Sequence, residues 1–372
     1  MIDHPSVASA ARHVSTGLLV ALLLGGFRAD TAFAQGYGVL PATPPDTLAP
    51  PDSILLENIR SALTTLAGDD FEGRRTGTQG AARAAHFIAS KFEEFGLAAV
   101  GNDRYFQRIP MRRAGAGDQQ RIELLSGWGQ FELLPAAERM IGTNVVGMIR
   151  GSDPVLRDEA VLVAAHFDHV GIGAPNAEGD SIYNGADDDA SGVVAMLEIA
   201  RDLSQGPPPR RTVVFLATTA EEAGLLGTQW YIQNPVVPLR RTVANLAIEM
   251  IGRPDSLAGG PGHAWLTGYR RSTMGELLSQ SGLPIVPDPR PEYDFFSRSD
   301  NIAFAYLGIP AHTLSSYNLH ADYHTPDDEV DRIDFEHMAR VTEAAIRAVR
   351  VLADGPAPEW NPGGRPYPRR MY

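Results

Sequence analysis

Three runs in the middle of the chain, AVLVAAH (160–166), TVVFLAT (212–218) and NLAIEM (245–250), are almost wholly apolar. Strands covered on both faces read this way, because neither side of the pleat meets water. Between the first two, SGVVAMLEIARDL (191–203) carries its apolar residues at helical spacing. Strand, helix and strand in succession predict a parallel α/β sheet. Upstream, ILLENIRSALTTLA from residue 54 and AARAAHFIASKFEEFGL (81–97) predict two amphipathic helices, separated by the turn-rich loop EGRRTGTQG (72–80). Residues 105–150 alternate apolar and polar positions with glycine breaks, as hairpins or edge strands do. GIPAHTL (308–314) offers one more strand, and FEHMARVTEAAIRAVRVLA (335–353) a long closing helix.

The ends follow different patterns. Arg12 precedes an apolar stretch at 16–27, and AFA at 32–34 precedes Gln35, so residues 1–34 read as a signal peptide cleaved after Ala34. The alternative, a membrane anchor, is disfavoured because the apolar stretch is too short to span comfortably. Residues 35–52 are expected to be a proline-rich linker, 53–354 a single folded domain, and 355–372 a loosely held tail. An exported protein, periplasmic or secreted, follows.

Composition narrows the chemistry. The 372 residues are 44% hydrophobic and 21% charged, ordinary for a globular protein. A formal net charge of −13 argues against nucleic acid or an anionic membrane as partner. Cysteine is absent, so any metal must be held by His, Asp and Glu.

Such residues cluster where a parallel sheet would gather them. Ligands of open α/β sheets bind beyond the carboxyl ends of the strands. His166 ends the first apolar run, Glu221 and Glu222 follow the second, and Glu249 closes the third. Asp188 stands just before the predicted helix, and His324 in the loop before the last one. Neutral imidazole and carboxylate suit zinc, and paired ions need a bridging carboxylate and a further carboxylate to move protons. Asp168, two residues beyond His166, can accept the imidazole's other N–H or brace the site in another way.

In order, AHFDH (165–169), NGADDDASG (184–192), AEEAGLLG (220–227), IEMIG (248–252) and DYHTPDD (322–328) resemble the two-zinc exopeptidases of the bacterial leucine aminopeptidase and glutamate carboxypeptidase II type. DDFEGRRTGTQG (69–80) and SRSDNIAFAYLGIPA (297–311) extend the likeness. The resemblance implies a three-layer α/β/α fold with a mixed, largely parallel central sheet and two zinc ions per chain. It implies that His166 and Glu249 hold one ion, Glu222 and His324 the other, and that Asp188 bridges them. Glu221 would be the catalytic base and acid, with Asp168 in support. Asp187 and Asp189 would shape the loop or bind backbone at the helix start. The chain departs from the pattern at Glu249, where many members carry aspartate.

His324 competes with His320, which is either pocket-lining or structural. His169 and His312 are expected to be loop and core residues, and Tyr293, Phe295 and Phe296 either wall a pocket or simply pack. The implied activity is that of an aminopeptidase on peptides with a free terminus. A carboxypeptidase or dipeptidase, a single-zinc glutaminyl cyclase and a metal-free receptor-like module are the alternatives. Oligomeric state is not legible.

Overall fold

A computed structural model describes residues 50–115 and 121–367, which leaves the expected signal peptide and most of the linker outside the described residues. The first half contains α1 (Ser53–Leu66), α2 (Gln79–Glu94), β1 (Ala98–Ala99), β2 (Phe106–Ala114), β3 (Arg121–Leu124), α3 (Trp128–Glu132), β4 (Arg139–Ile149), β5 (Ala160–His166), β6 (Gly171–Ile172) and β7 (Ile182–Tyr183). The second contains α4 (Gly192–Gln205), β8 (Thr212–Thr218), α5 (Leu226–Gln233), β9 (Thr242–Ile248), β10 (Ala264–Leu266), α6 (Met274–Gln280), β11 (Ile285–Pro287), α7 (Asn301–Tyr306), β12 (Ala311–Ser315) and α8 (Phe335–Asp354).

Ten strands form one mixed sheet in the order β11-β10-β12-β9-β5-β8-β4-β2-β3, with β1 added on β4. Its centre, β12-β9-β5-β8, is parallel, and the β4, β2 and β3 side is antiparallel. Every residue of β5 and of β8 is buried. The pleat explains why both faces must be covered. Val161, Val163 and Ala165 point to the layer of α1, α2, α4 and α8, while Leu162 packs with residues of α5 and α7 on the other side. The α/β/α sandwich expected from the sequence is therefore the fold observed.

Two segments differ from the sequence reading. The pattern leaves 264–287 unassigned, yet these residues add β10, α6 and β11 to one sheet edge. Their strands are three residues long, too short to display a period. The tail is not loosely held as far as residue 367. Trp360 packs beside Phe296 and His312 and donates its indole N–H to the Gly308 carbonyl at 2.9 Å. The backbone N–H groups of Thr273 and Asn361 bond across the same junction, to the Glu359 and Arg271 carbonyls. One half-buried indole outweighs the proline- and glycine-rich composition that suggested a free end.

Candidate metal centre

Sheet register brings the candidate donors together. His166 pairs with Thr218 across β5 and β8, and Ala164 with Ala247 across β5 and β9. The chain therefore leaves all three strands along one edge, presenting His166, then Glu221 and Glu222, then Glu249. Ala220 and Met250 sit at positive φ just past their strands, turning the chain sharply there. The Asp187 to Asp189 turn lies between Gly185 and the start of α4. Gly185 takes a left-handed φ of 54°, and a Cβ there would lie 2.2 Å from the Asp188 carbonyl oxygen, so only glycine fits.

Asp188 is the hub. Its Oδ1 lies 3.2 Å from His166 Nε2, and its Oδ2 lies 3.0 Å from His324 Nε2. His324 Nε2 is also 3.1 Å from Glu222 Oε1. Two sets of donor atoms result, each gathered within 4.8 Å: His166, Asp188 and Glu249, and His169, Asp188, Glu222 and His324. His324 Nε2 is buried with no acceptor aligned to it, although two carboxylate oxygens stand close by. Nitrogen and oxygen donors gathered this closely, with His324 Nε2 left without an aligned acceptor, fit a divalent ion such as zinc.

Electrostatics follow from packing many carboxyls with few cations. Burial opposes the charge of Asp188, but His166 and His324 outweigh it and hold its pKa well below the usual range. Burial likewise opposes Glu222, which His169 and His324 nevertheless bring down to about 2. The His324 imidazolium, disfavoured by burial, is stabilised by Asp188 and Glu222 up to about 10. Glu221 goes the other way, raised well above the ordinary value chiefly by burial. Asp168 and Glu249 are pushed up to about 7, again mainly by burial.

Asp168 braces the site by a route the sequence does not specify. The His166 Nδ1 faces the Asp168 backbone carbonyl at 3.1 Å, not its carboxylate. The carboxylate accepts the Glu221 backbone N–H at 3.1 Å and the Thr76 hydroxyl at 3.2 Å, so it holds the Glu221 turn. Asp189 accepts the N–H groups of Gly192 and Met250, and Asp187 accepts that of Gly252. Both thus fasten the turn through backbone. His320 Nε2 stands 3.2 Å from Asp187, a structural position behind the donors. His312 is a core residue, between Ser272 Oγ and the Thr267 carbonyl.

His169 lies in the loop after β5, as expected, but it stands among the outer donors. It is buried, with Nδ1 3.0 Å from Glu222 Oε1 and 3.7 Å from Asp188 Oδ2. Three further residues carry no local sign of their roles. Arg74 is fully buried and donates to the carbonyls of Phe167, Leu66, Asn184 and Gly185, stapling the α1–α2 loop beneath the donors. Asp328 accepts the N–H groups of Asp187 and Asp188. Arg253 then bonds Asp328 at 3.1 Å and Asp322 at 2.7 Å, tying the His324 loop to the aspartate turn. Their partners lie 60 or more residues away in most cases, beyond any periodic signal.

A cleft of about 730 Å³ opens over the outer donors, lined by Asp168, His169, Glu222 and His324 on one side. A recess of about 90 Å³ meets it at Glu222 and is lined by Glu221, Glu249, Phe295, Arg298 and Tyr323. Of the aromatic trio, Phe295 lines this recess. Tyr293 stacks on it from outside, and Phe296 packs in the core.

Comparison with known proteins bears on the family and the fold. Aminopeptidase YwaD of Bacillus subtilis (strain 168) is 26% identical over 236 residues, covering 58% of this chain and 47% of its own length. The chain thus spans about half of that relative. The aminopeptidase from Aneurinibacillus sp. strain AM-1 superposes with a TM-score of 0.57 at 18% identity, over 85% of this chain and 97% of its own. A glutaminyl cyclase of Porphyromonas gingivalis gives 0.54 at 19% identity, over 79% and 97%. At such identities the two structures show a shared fold alone. The model of peptidase family M28 matches residues 144–349, more than half of the chain and all of the candidate donors. This chain belongs to peptidase family M28.

Proposed function

We propose that this chain is an exported zinc-dependent exopeptidase, an aminopeptidase that removes N-terminal residues from peptides. The observation that carries the reading is Asp188, whose two carboxylate oxygens face separate donor sets at 3.2 and 3.0 Å. In this reading His166 and Glu249 hold one zinc, Glu222 and His324 the other, and Asp188 is common to both. When bound, such ions would supply Lewis acidity to a carbonyl oxygen and to water.

The remaining work falls to the chain's own groups. Glu221 takes the water's proton and returns it to the departing amine. Burial raises its proton affinity, which makes it a stronger base when ionised and a competent acid afterwards. Asp168 keeps Glu221 aimed by accepting its backbone N–H. The concentration of carboxylates also suits the free α-amino group of an N-terminal residue. Export rests on the apolar stretch and the AFA sequence near the N-terminus.

Glu221→Gln tests the mechanism. The variant is expected to bind two zinc ions per chain and to lose about 10²–10⁴-fold in turnover of amino-acid anilides. Turnover equal to wild type removes Glu221 from the mechanism. One tightly held zinc together with cyclisation of N-terminal glutamine would replace the peptidase reading by that of the cyclase neighbour.

A further inference from the structure

Away from the carboxylate-rich donors, the wall of the main cleft has the opposite charge. Arg75, Arg113 and Arg121 line it with Ile122 and Met140, and among the described residues the only acidic ones lining the cleft are Asp168 and Glu222 of the metal centre. This is unexpected in a chain with a formal net charge of −13. The neighbouring Arg112 and Arg121 are ion-paired, sharing one carboxylate. Glu123 pairs with Arg112 at 3.1 Å and with Arg121 at 2.8 Å. Arg75 and Arg113 are not. Among the described residues neither has a carboxylate within ion-pairing distance, and Arg113 donates only to the Gly77 carbonyl at 3.1 Å.

Their positions are held by the fold. Arg75 follows directly on the buried staple Arg74, and its stem runs against Gly171, where a Cβ would lie 2.6 Å from the Arg75 Cβ. Arg113 projects from β2, next to Gly77 in the loop that carries Arg75. Both precede residues 144–349, the span that the family model matches, although Arg75 falls in the 69–80 segment that extends the likeness. The cleft's volume of about 730 Å³ falls within the usual range of ligand sites, about 300–1,000 Å³.

We propose that Arg75 and Arg113 form a carboxylate-binding subsite, so that the preferred substrates are short peptides bearing a carboxylate beyond the scissile bond. The inference rests on the peptidase reading and names its substrate class. A guanidinium presents paired N–H donors that match a carboxylate, and two of them on one wall select an anion over a neutral amide. The carboxylate can be the C-terminus of a di- or tripeptide or an acidic side chain at the same distance.

The test separates these sources and is independent of turnover. Calorimetry on zinc-loaded Glu221→Gln compares a tripeptide with a free C-terminus, its C-terminal amide, and the amide carrying glutamate at its second or third position. The free acid is expected to bind about tenfold more tightly than the amide, with the preference shrinking as salt rises. Glutamate restoring the affinity of the amide assigns the subsite to side chains; no restoration assigns it to the terminus. In the Arg75→Gln, Arg113→Gln background the preference should fall to about unity. Arg75→Gln alone should lower it severalfold, and it removes no internal hydrogen bond, which guards against misfolding of the double variant. Equal affinity for acid and amide peptides, or a preference that survives in the double variant, overturns the subsite. Failure of wild type to hydrolyse any of these peptides, with the binding preference intact, overturns the peptidase reading instead.

Discussion

The two donor sets share Asp188 but are built from different materials. The inner one starts from strand ends: His166 closes β5, Glu249 follows β9, and the His166 and Asp188 side chains are only 2–3% exposed. The outer one comes from loops, and its His324 and Glu222 side chains are 34% and 19% exposed. The inner donors are placed by sheet hydrogen bonds and a close-packed core. The outer donors depend on side-chain ties such as Arg253 with Asp322 and Asp328. One half is thus a buried floor, and the other borders the main cleft.

The comparison can be broken most forcefully at its shared residue. If the proposed two-zinc reading holds, Asp188→Ala should remove both ions and lower turnover by on the order of 10⁴-fold or more, read by metal analysis and anilide hydrolysis. One zinc retained with near-normal activity would show that the sets are independent. A finer division comes from the two histidines. In chelator-treated protein, His166→Ala leaves buried carboxylates without their counter-charge and should cost about 3–5 kcal/mol in urea unfolding. His324→Ala, at a third-exposed and solvent-screened site, should cost about 1 kcal/mol or less. Equal losses would erase the distinction between floor and rim.

The smallest effect is a pH dependence. Asp168 is raised by burial from 3.8 to about 7, so between those values the folded state binds more protons than the unfolded one. Its contribution to stability is complete below about pH 3.8 and is lost as pH rises through 7. Asp168 should therefore account for a loss of about 1 kcal/mol between pH 6 and 7 in chelator-treated protein, read as the difference in slope between wild type and Asp168→Asn. Equal slopes in the two proteins would mean that Asp168 is already ionised in the fold.

Legibility followed the range of the interactions involved. β5 and β8 were readable because burial on both faces leaves a run whose interior is wholly apolar, with polar residues only at its ends. The segment containing β10, α6 and β11 was not, since three-residue strands have no period. His169 resembles any loop histidine until β5 and β8 are aligned, which brings it to Glu222, 53 residues on. Trp360 shows the same limit at the C-terminus, where composition suggested freedom and one indole contact decides otherwise.

By itself the sequence determined the kinds of donor, their order and the strand ends that carry them, because apolar periodicity and residue chemistry are local properties. It also confined metal binding to imidazole and carboxylate, since there is no cysteine. Only the tertiary structure decided that the Asp168 carboxylate serves Glu221 rather than His166, that His169 joins the outer donors, and that two arginines with no ion pair among the described residues line the same cleft. Each of these turns on the distance between groups far apart in the chain, and that distance is set by sheet register and packing.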